Sequence, residues 1–173
     1  MNAANFSVND YVIYKGVGVC RIEAIETKSF DDGISSEDYF KLVPLGAGSS
    51  SYFVPVSRVG GRVRKPMTAE EVNAAIDDSE NGNIRLTDNS KARRSEIDSI
   101  LKEGDHAKII SLIKSIYLHT ESCRSSGRKI LVSDENALRA AESMIYPEFS
   151  FALGIDEREV AGYIGSRLEH RAM

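Results

Sequence analysis

The sequence predicts an α+β protein, a small antiparallel β-module followed by a compact all-helical one, with the boundary near residues 65 to 68. Two features carry this reading. From Tyr11 to Arg64 the chain is rich in Val, Ile, Tyr and Phe, and turn signals interrupt it at Gly16, at Asp31-Asp32-Gly33 and at Gly46 to Ser50, as in a run of short strands. After Pro66 the apolar residues change to helical spacing, most clearly at Ile109, Leu112, Ile113, Ile116 and Tyr117.

Within the β-module, Gly18, Cys20, Ile22 and Ala24 alternate with Val17, Val19, Arg21 and Glu23, which places the first set on the inner face of a half-buried sheet or barrel. Pro44 and Pro55 lack the N–H a ladder needs, so Lys41-Leu42-Val43-Pro44 and Tyr52-Phe53-Val54-Pro55 are expected to stop there or to lie at edges. The helical module opens with a capping box, Thr68-Ala69-Glu70-Glu71, leading a short helix with Val72, Ala75 and Ile76 on one face. A polar loop over residues 77–83 precedes a helix from about Asp88 to Glu103, with Ile97, Ile100 and Leu101 inward and Gly104 as its stop. Asp105 restarts the pattern, and residues 105 to about 121 form the most buried helix. Ser133 is expected to cap a helix bearing Leu138, Ala141, Met144 and Ile145, which Pro147 kinks or divides. Asp156 and Glu159 start the last helix, with Val160, Tyr163, Ile164 and Leu168.

Bulk properties narrow the function classes. With 173 residues, the chain has room for two small modules. No apolar run approaches the roughly 18 residues of a spanning helix, and the start of the chain lacks a basic and apolar leader. A cytoplasmic location without membrane association is therefore expected. Cys20 and Cys123 read as reduced thiols. The net charge of −4 argues against non-specific coating of nucleic acid, which rests on displacing many phosphate counterions. Residues 1–66 carry eight Lys or Arg against seven Asp or Glu, and residues 67–173 fourteen against nineteen, so any DNA contact must be local. His119 and Cys123 lie one helical turn apart but lack an orienting third group, the three His and two Cys fit no zinc spacing, and Gly16-Val-Gly18 lacks a third glycine. No catalytic residue, metal or cofactor is expected, and no enzyme.

Asp10-Tyr-Val-Ile-Tyr-Lys-Gly-Val-Gly-Val-Cys-Arg-Ile-Glu-Ala-Ile-Glu-Thr27, Asp38-Tyr-Phe-Lys-Leu-Val-Pro-Leu45 and Phe53-Val-Pro-Val56 together resemble the opening of the CarD family of bacterial transcription regulators. The resemblance continues through Val63-Arg-Lys-Pro66, Ile100-Leu-Lys-Glu-Gly-Asp105, Ser133-Asp-Glu and Arg139-Ala-Ala-Glu142. It implies a Tudor-like β-barrel over residues 1–66 that interacts with the lobe of the RNA polymerase β subunit, and a helical domain over residues 67–173 that contacts promoter DNA at the upstream edge of the bubble. The barrel is shared with transcription-repair coupling factor, whose motor motifs this chain lacks. A monomeric regulator, nucleoid-associated through polymerase and stabilising the open complex, is the expectation. Many members carry a Trp wedge before the Gly-Asp turn. This chain has no Trp, and the position falls on Leu86 or Ser90, with Leu86 favoured because Thr87-Asp88-Asn89 follows it.

The polymerase-facing candidates are Lys28, Leu42, Tyr52, Phe53, Val54 and Pro55, since an exposed strand can extend a partner's sheet. Without the resemblance, Phe53 reads as core and Lys28 as solvated. The DNA-facing candidates form two patches. Arg85, Leu86, Lys91, Arg93 and Arg94 make one, of net charge +3 once Asp88 is counted, and Arg124, Arg128 and Lys129 the other. Both patches also read as ordinary solvated surface. The alternative function is a protein-protein adaptor on polymerase whose helices never touch DNA.

Overall fold

The computed structural model describes residues 6–29, 36–46, 50–82, 84–87 and 89–171. The turns expected at Asp31-Asp32-Gly33 and at residues 47–49, and Asp88, lie outside the described residues. The chain divides after Pro66 into two compact units.

The first unit is a five-stranded antiparallel sheet, β1 (Tyr11–Tyr14), β2 (Gly18–Ser29), β3 (Ser36–Pro44), β4 (Tyr52–Pro55) and β5 (Val63–Arg64), in the order β4-β3-β2-β1-β5. Val12, Cys20, Ile22, Phe40, Leu42, Val54, Val59 and Val63 form its core. The inward alternation of β2 holds for Cys20 and Ile22 and then changes phase. Ile22 pairs with Leu42 but Ala24 with Lys41, so Glu23 is an extra residue in a bulge. The bulge moves Ala24 to the outer face and brings Ile25 opposite Phe40. Val19, read as outward, is also buried. The sheet curls, because Tyr14 on β1 meets Tyr52 on β4 edge-on with ring centroids 5.5 Å apart although two strands separate them. β3 and β4 each end at their proline, and β4 lies at the edge of the sheet.

Burial pushes the Cys20 thiol up to about 11. Alkylation of Cys20 by iodoacetamide near pH 8 should therefore run about two orders of magnitude slower in the native protein than after denaturation, because the thiolate is the nucleophile. Equal rates would show that the core admits the reagent.

The second unit contains, among the described residues, α1 (Ala69–Asp78), α2 (Ser90–Glu103), α3 (His106–Ser125), α4 (Val132–Leu153) and α5 (Val160–Arg171). The Thr68/Glu71 capping box and the Asp156/Glu159 box are both formed, Asp105 caps α3, and Gly104 ends α2 in the left-handed conformation at φ 74°. Hydrogen bonds from Arg158 hold the exposed Asp156 carboxyl down at about 2. Three expectations are corrected. α2 begins at Ser90, capped by Asn89, rather than at about Asp88; α3 runs on to Ser125; and Ser133 lies inside α4, whose N-cap Leu131 makes no side-chain bond. α4 continues through Pro147, so the proline does not divide it, although its ring removes one donor from the ladder and crowds the carbonyl four residues earlier.

α3 is the centre of the unit. Ile109, Ile110 and Ile113 pack with Val72 and Ile76 of α1, Ala141, Ile145 and Phe149 of α4, and Val160 and Ile164 of α5. Its Leu112 and Ile116 join Ile97 of α2 in a smaller cluster that Ile84 and Leu86 partly cover. Tyr117 and Met144, read as inward, are exposed instead. Polar ties fix the rest: Arg167 donates twice to Asp77, at 2.8 and 2.9 Å, and Tyr163 donates to Asn73. The buried carboxylate of Glu148 accepts the Met67 N–H at 3.0 Å. Gly82 runs against α3 so closely that a Cβ there would clash with Ser111, whose hydroxyl bonds to the Ser79 and Ala107 carbonyls. Gly82→Ala should accordingly cost about 1–3 kcal/mol in a thermal melt.

Candidate interaction surfaces

Period-two alternation divides the polymerase-facing candidates between the two faces of the sheet. Leu42 pairs with Tyr52 and Phe40 with Val54 on the inner face, while Lys41 pairs with Phe53 and Tyr39 with Pro55 on the outer. Leu42 and Val54 are 0% and 1% exposed. Their side chains pack the core and cannot touch a partner, which corrects their assignment as contact residues. Tyr52 shares the inner-face register and meets Tyr14 across the curl, but stays 37% exposed. The outer face keeps Phe53, 39% exposed, with Pro55 half-buried beside it.

Lys28 reaches Phe53 from β2. Its ammonium stands 2.9 Å from the ring centroid, a cation–π contact that spans the intervening strand β3 and stiffens the aromatic side chain. Lys28 also lies 3.8 Å from Glu26. Sequence reasoning missed the neighbours that complete this face. Lys41 bonds to Glu23, which holds that carboxyl below the usual carboxylate range and the ammonium above its own, and Ser57 donates to Glu37. The bulge brings Glu23 to Lys41, and no local pattern announces a bulge. Among the described residues β4 pairs with β3 alone, so its second edge offers main-chain donors and acceptors beside Phe53.

In the helical unit the first basic patch is only partly superficial. Arg85, Lys91 and Arg94 are exposed. Arg93 is not: it is 5% exposed, and its Nη1 donates to Asp134 Oδ2 at 2.8 Å. A phosphate cannot reach a guanidinium committed in this way, so Arg93 leaves the set of contact residues. The reason is its place in the turn, since Arg93 falls four residues before Ile97 on the stripe of α2 that faces the bundle. Leu86 is half-buried against the cluster of Ile97, Leu112 and Ile116, so it serves the core on one side and faces solvent on the other. Ser90, the alternative position, is the exposed first residue of α2.

The second patch closes α3. Arg124, Arg128 and Lys129 are exposed, with Arg124 3.8 Å from Glu121 and Arg128 donating through Nε to Ser126 at 3.0 Å. Gly127 at φ 67° lets the chain turn so that the Arg128 N–H caps the Cys123 carbonyl at 2.8 Å. Among the described residues no group of His, Cys, Asp and Glu could hold a metal, and no helix is long and apolar enough to cross a membrane.

Residues 6–67 match the family model of the CarD-like/TRCF RID domain. Among curated proteins no match to the chain is found. The matched residues contain all five strands, the buried core beneath them and the exposed Phe53 edge. The N-terminal unit is therefore similar to the CarD-like/TRCF RID domain, a family of RNA polymerase-interacting domains.

Proposed function

We propose that the chain is a transcription regulator. In this reading β4 adds to a strand of the polymerase β-subunit lobe, with Phe53, Pro55 and Lys28 beside the new ladder. The helical unit contacts promoter DNA at the upstream edge of the bubble and stabilises the open complex. The observation that carries the proposal is the outer edge of β4, unpaired among the described residues, with an exposed, cation-braced aromatic, inside the residues that match an RNA polymerase-interacting family.

For DNA, the support is the exposure of Arg85, Lys91, Arg94, Arg124, Arg128 and Lys129, together with a Leu86 that is half-exposed next to Arg85 in the chain. An apolar side chain between base steps with guanidinium groups on flanking phosphates holds opened DNA without reading its sequence. The acidic balance of the unit predicts weak binding by itself, and tethering to polymerase raises the effective concentration to about the millimolar range. Lys91→Glu with Arg94→Glu should shorten open-complex lifetime while leaving polymerase binding intact. An unchanged lifetime with full polymerase binding would favour the adaptor reading, in which the helices meet only protein.

A further inference from the structure

We infer that Arg93 is a positioning residue, the one side chain that fixes the DNA-facing first turn of α2 to the rest of the helical unit. The inference rests on the DNA-contact reading for its functional consequence and on packing for its mechanism.

α2 has two buried side chains, Arg93 and Ile97. Ile97, with the partly buried Ile100 and Leu101, secures the later turns by apolar contact. In the first turn Lys91, Ala92 and Arg94 are exposed, so Arg93 alone reaches inward there. Its Nη1 donates to Asp134 Oδ2 on α4 at 2.8 Å and lies 3.0 Å from His119 Nε2 on α3. A guanidinium has donors only, so His119 Nε2 is the acceptor. His119 Nε2 is in turn 3.6 Å from Cys123 Sγ and 3.8 Å from Asp134 Oδ2. One charged knot thus joins three helices at the end of α2 that carries Lys91 and Arg94.

Stability alone is a poor reason for such a knot. Asp134 is 2% exposed, both charges are desolvated, and the Arg93 Nε has no partner among the described residues. An apolar pair of similar volume is often as stable as a buried ion pair, or more so. What an apolar pair lacks is direction. Hydrogen bonds from one guanidinium to acceptors on two helices set the rotation and height of α2, and with them the positions at which Lys91 and Arg94 meet phosphates.

The test uses the full chain and the double variant Arg93→Met with Asp134→Leu, which removes both charges and keeps the volume. The expected result is a melting temperature equal to or above that of the wild type, with amide exchange in the first turn of α2 at least about tenfold faster and a shortened open-complex lifetime. Exchange protection and lifetime retained in the double variant would overturn the inference, because an apolar pair would then hold the turn equally well. If the wild type itself leaves open complexes unchanged, the DNA-contact reading falls, and the exchange measurement still decides the positioning role. Should the double variant fail to fold, His119→Gln, which keeps an acceptor for the guanidinium, should preserve protection of that turn. His119→Leu, which does not, should lose it, and equal protection in the two would overturn the inference.

Discussion

Replacing Phe53 with glutamate is expected to weaken polymerase binding by a factor of roughly 30–1000 while the sheet stays folded. Truncating a central aromatic contact costs about 2–4 kcal/mol at a protein interface, and each 1.4 kcal/mol is about tenfold. Phe53 is outside the core, so its loss leaves the packing of Phe40, Leu42 and Val54 intact. The Lys28 ammonium already stands over that position and would pair with the new carboxylate. Lys28→Glu should act in the same direction, by removing the brace and placing a negative charge on the face. Leu42→Ala makes the control. It empties a fully buried site at a cost of about 2–5 kcal/mol, so any loss of binding would follow the melting curve. Equilibrium binding to the β-subunit lobe with melting temperatures for the same three variants separates contact from folding. Wild-type affinity in Phe53→Glu would move the docking surface off β4.

The second large effect is on stability. Asp134→Ala leaves the Arg93 guanidinium buried with no carboxylate, and breaking one side of a buried pair costs about 3–5 kcal/mol. For a small unit each kcal/mol corresponds to roughly 4–8 °C, so a fall of more than about 10 °C in the melting of the helical unit is expected. Arg93→Met should do the same by stranding Asp134. Arg94→Met, one residue on and fully exposed, should change the melting temperature by less than about 3 °C. A similar fall at positions 93 and 94 would mean that the two arginines are equivalent and that Arg93 is not committed to the interior.

The contrast between those neighbouring arginines shows where sequence reading stops. Helix positions were legible because periodicity and caps are local: Thr68 with Glu71, Asp105, Gly104, and Asp156 with Glu159 all act within one turn. The strands were legible for the same reason, through alternation and the two prolines. The outer face of the sheet was not, because one extra residue at Glu23 reverses the alternation beyond it and no residue type marks the reversal. The fate of Arg93 depended on Asp134, forty-one positions away on another helix. An arginine on an apolar stripe is the only hint that the sequence offers for such a pair, and among Lys91, Arg93 and Arg94 that hint was outweighed by the charge of its neighbours. Strand position alone does not say that Leu42 and Val54 face the core; the register of β3 with β4 does. The family resemblance points to Phe53, and alternation along β4 turns its side chain to the outer face.

In the proposed function this chain joins polymerase to the upstream edge of an opened promoter. A hydroxyl-radical footprint of polymerase–promoter complexes, taken without the protein, with the wild type and with Phe53→Glu, tests it most directly. Added protection at the upstream edge of the bubble is expected with the wild type, and its loss with Phe53→Glu at concentrations where the wild type saturates. An upstream edge left unchanged by a polymerase-bound wild-type chain would contradict it.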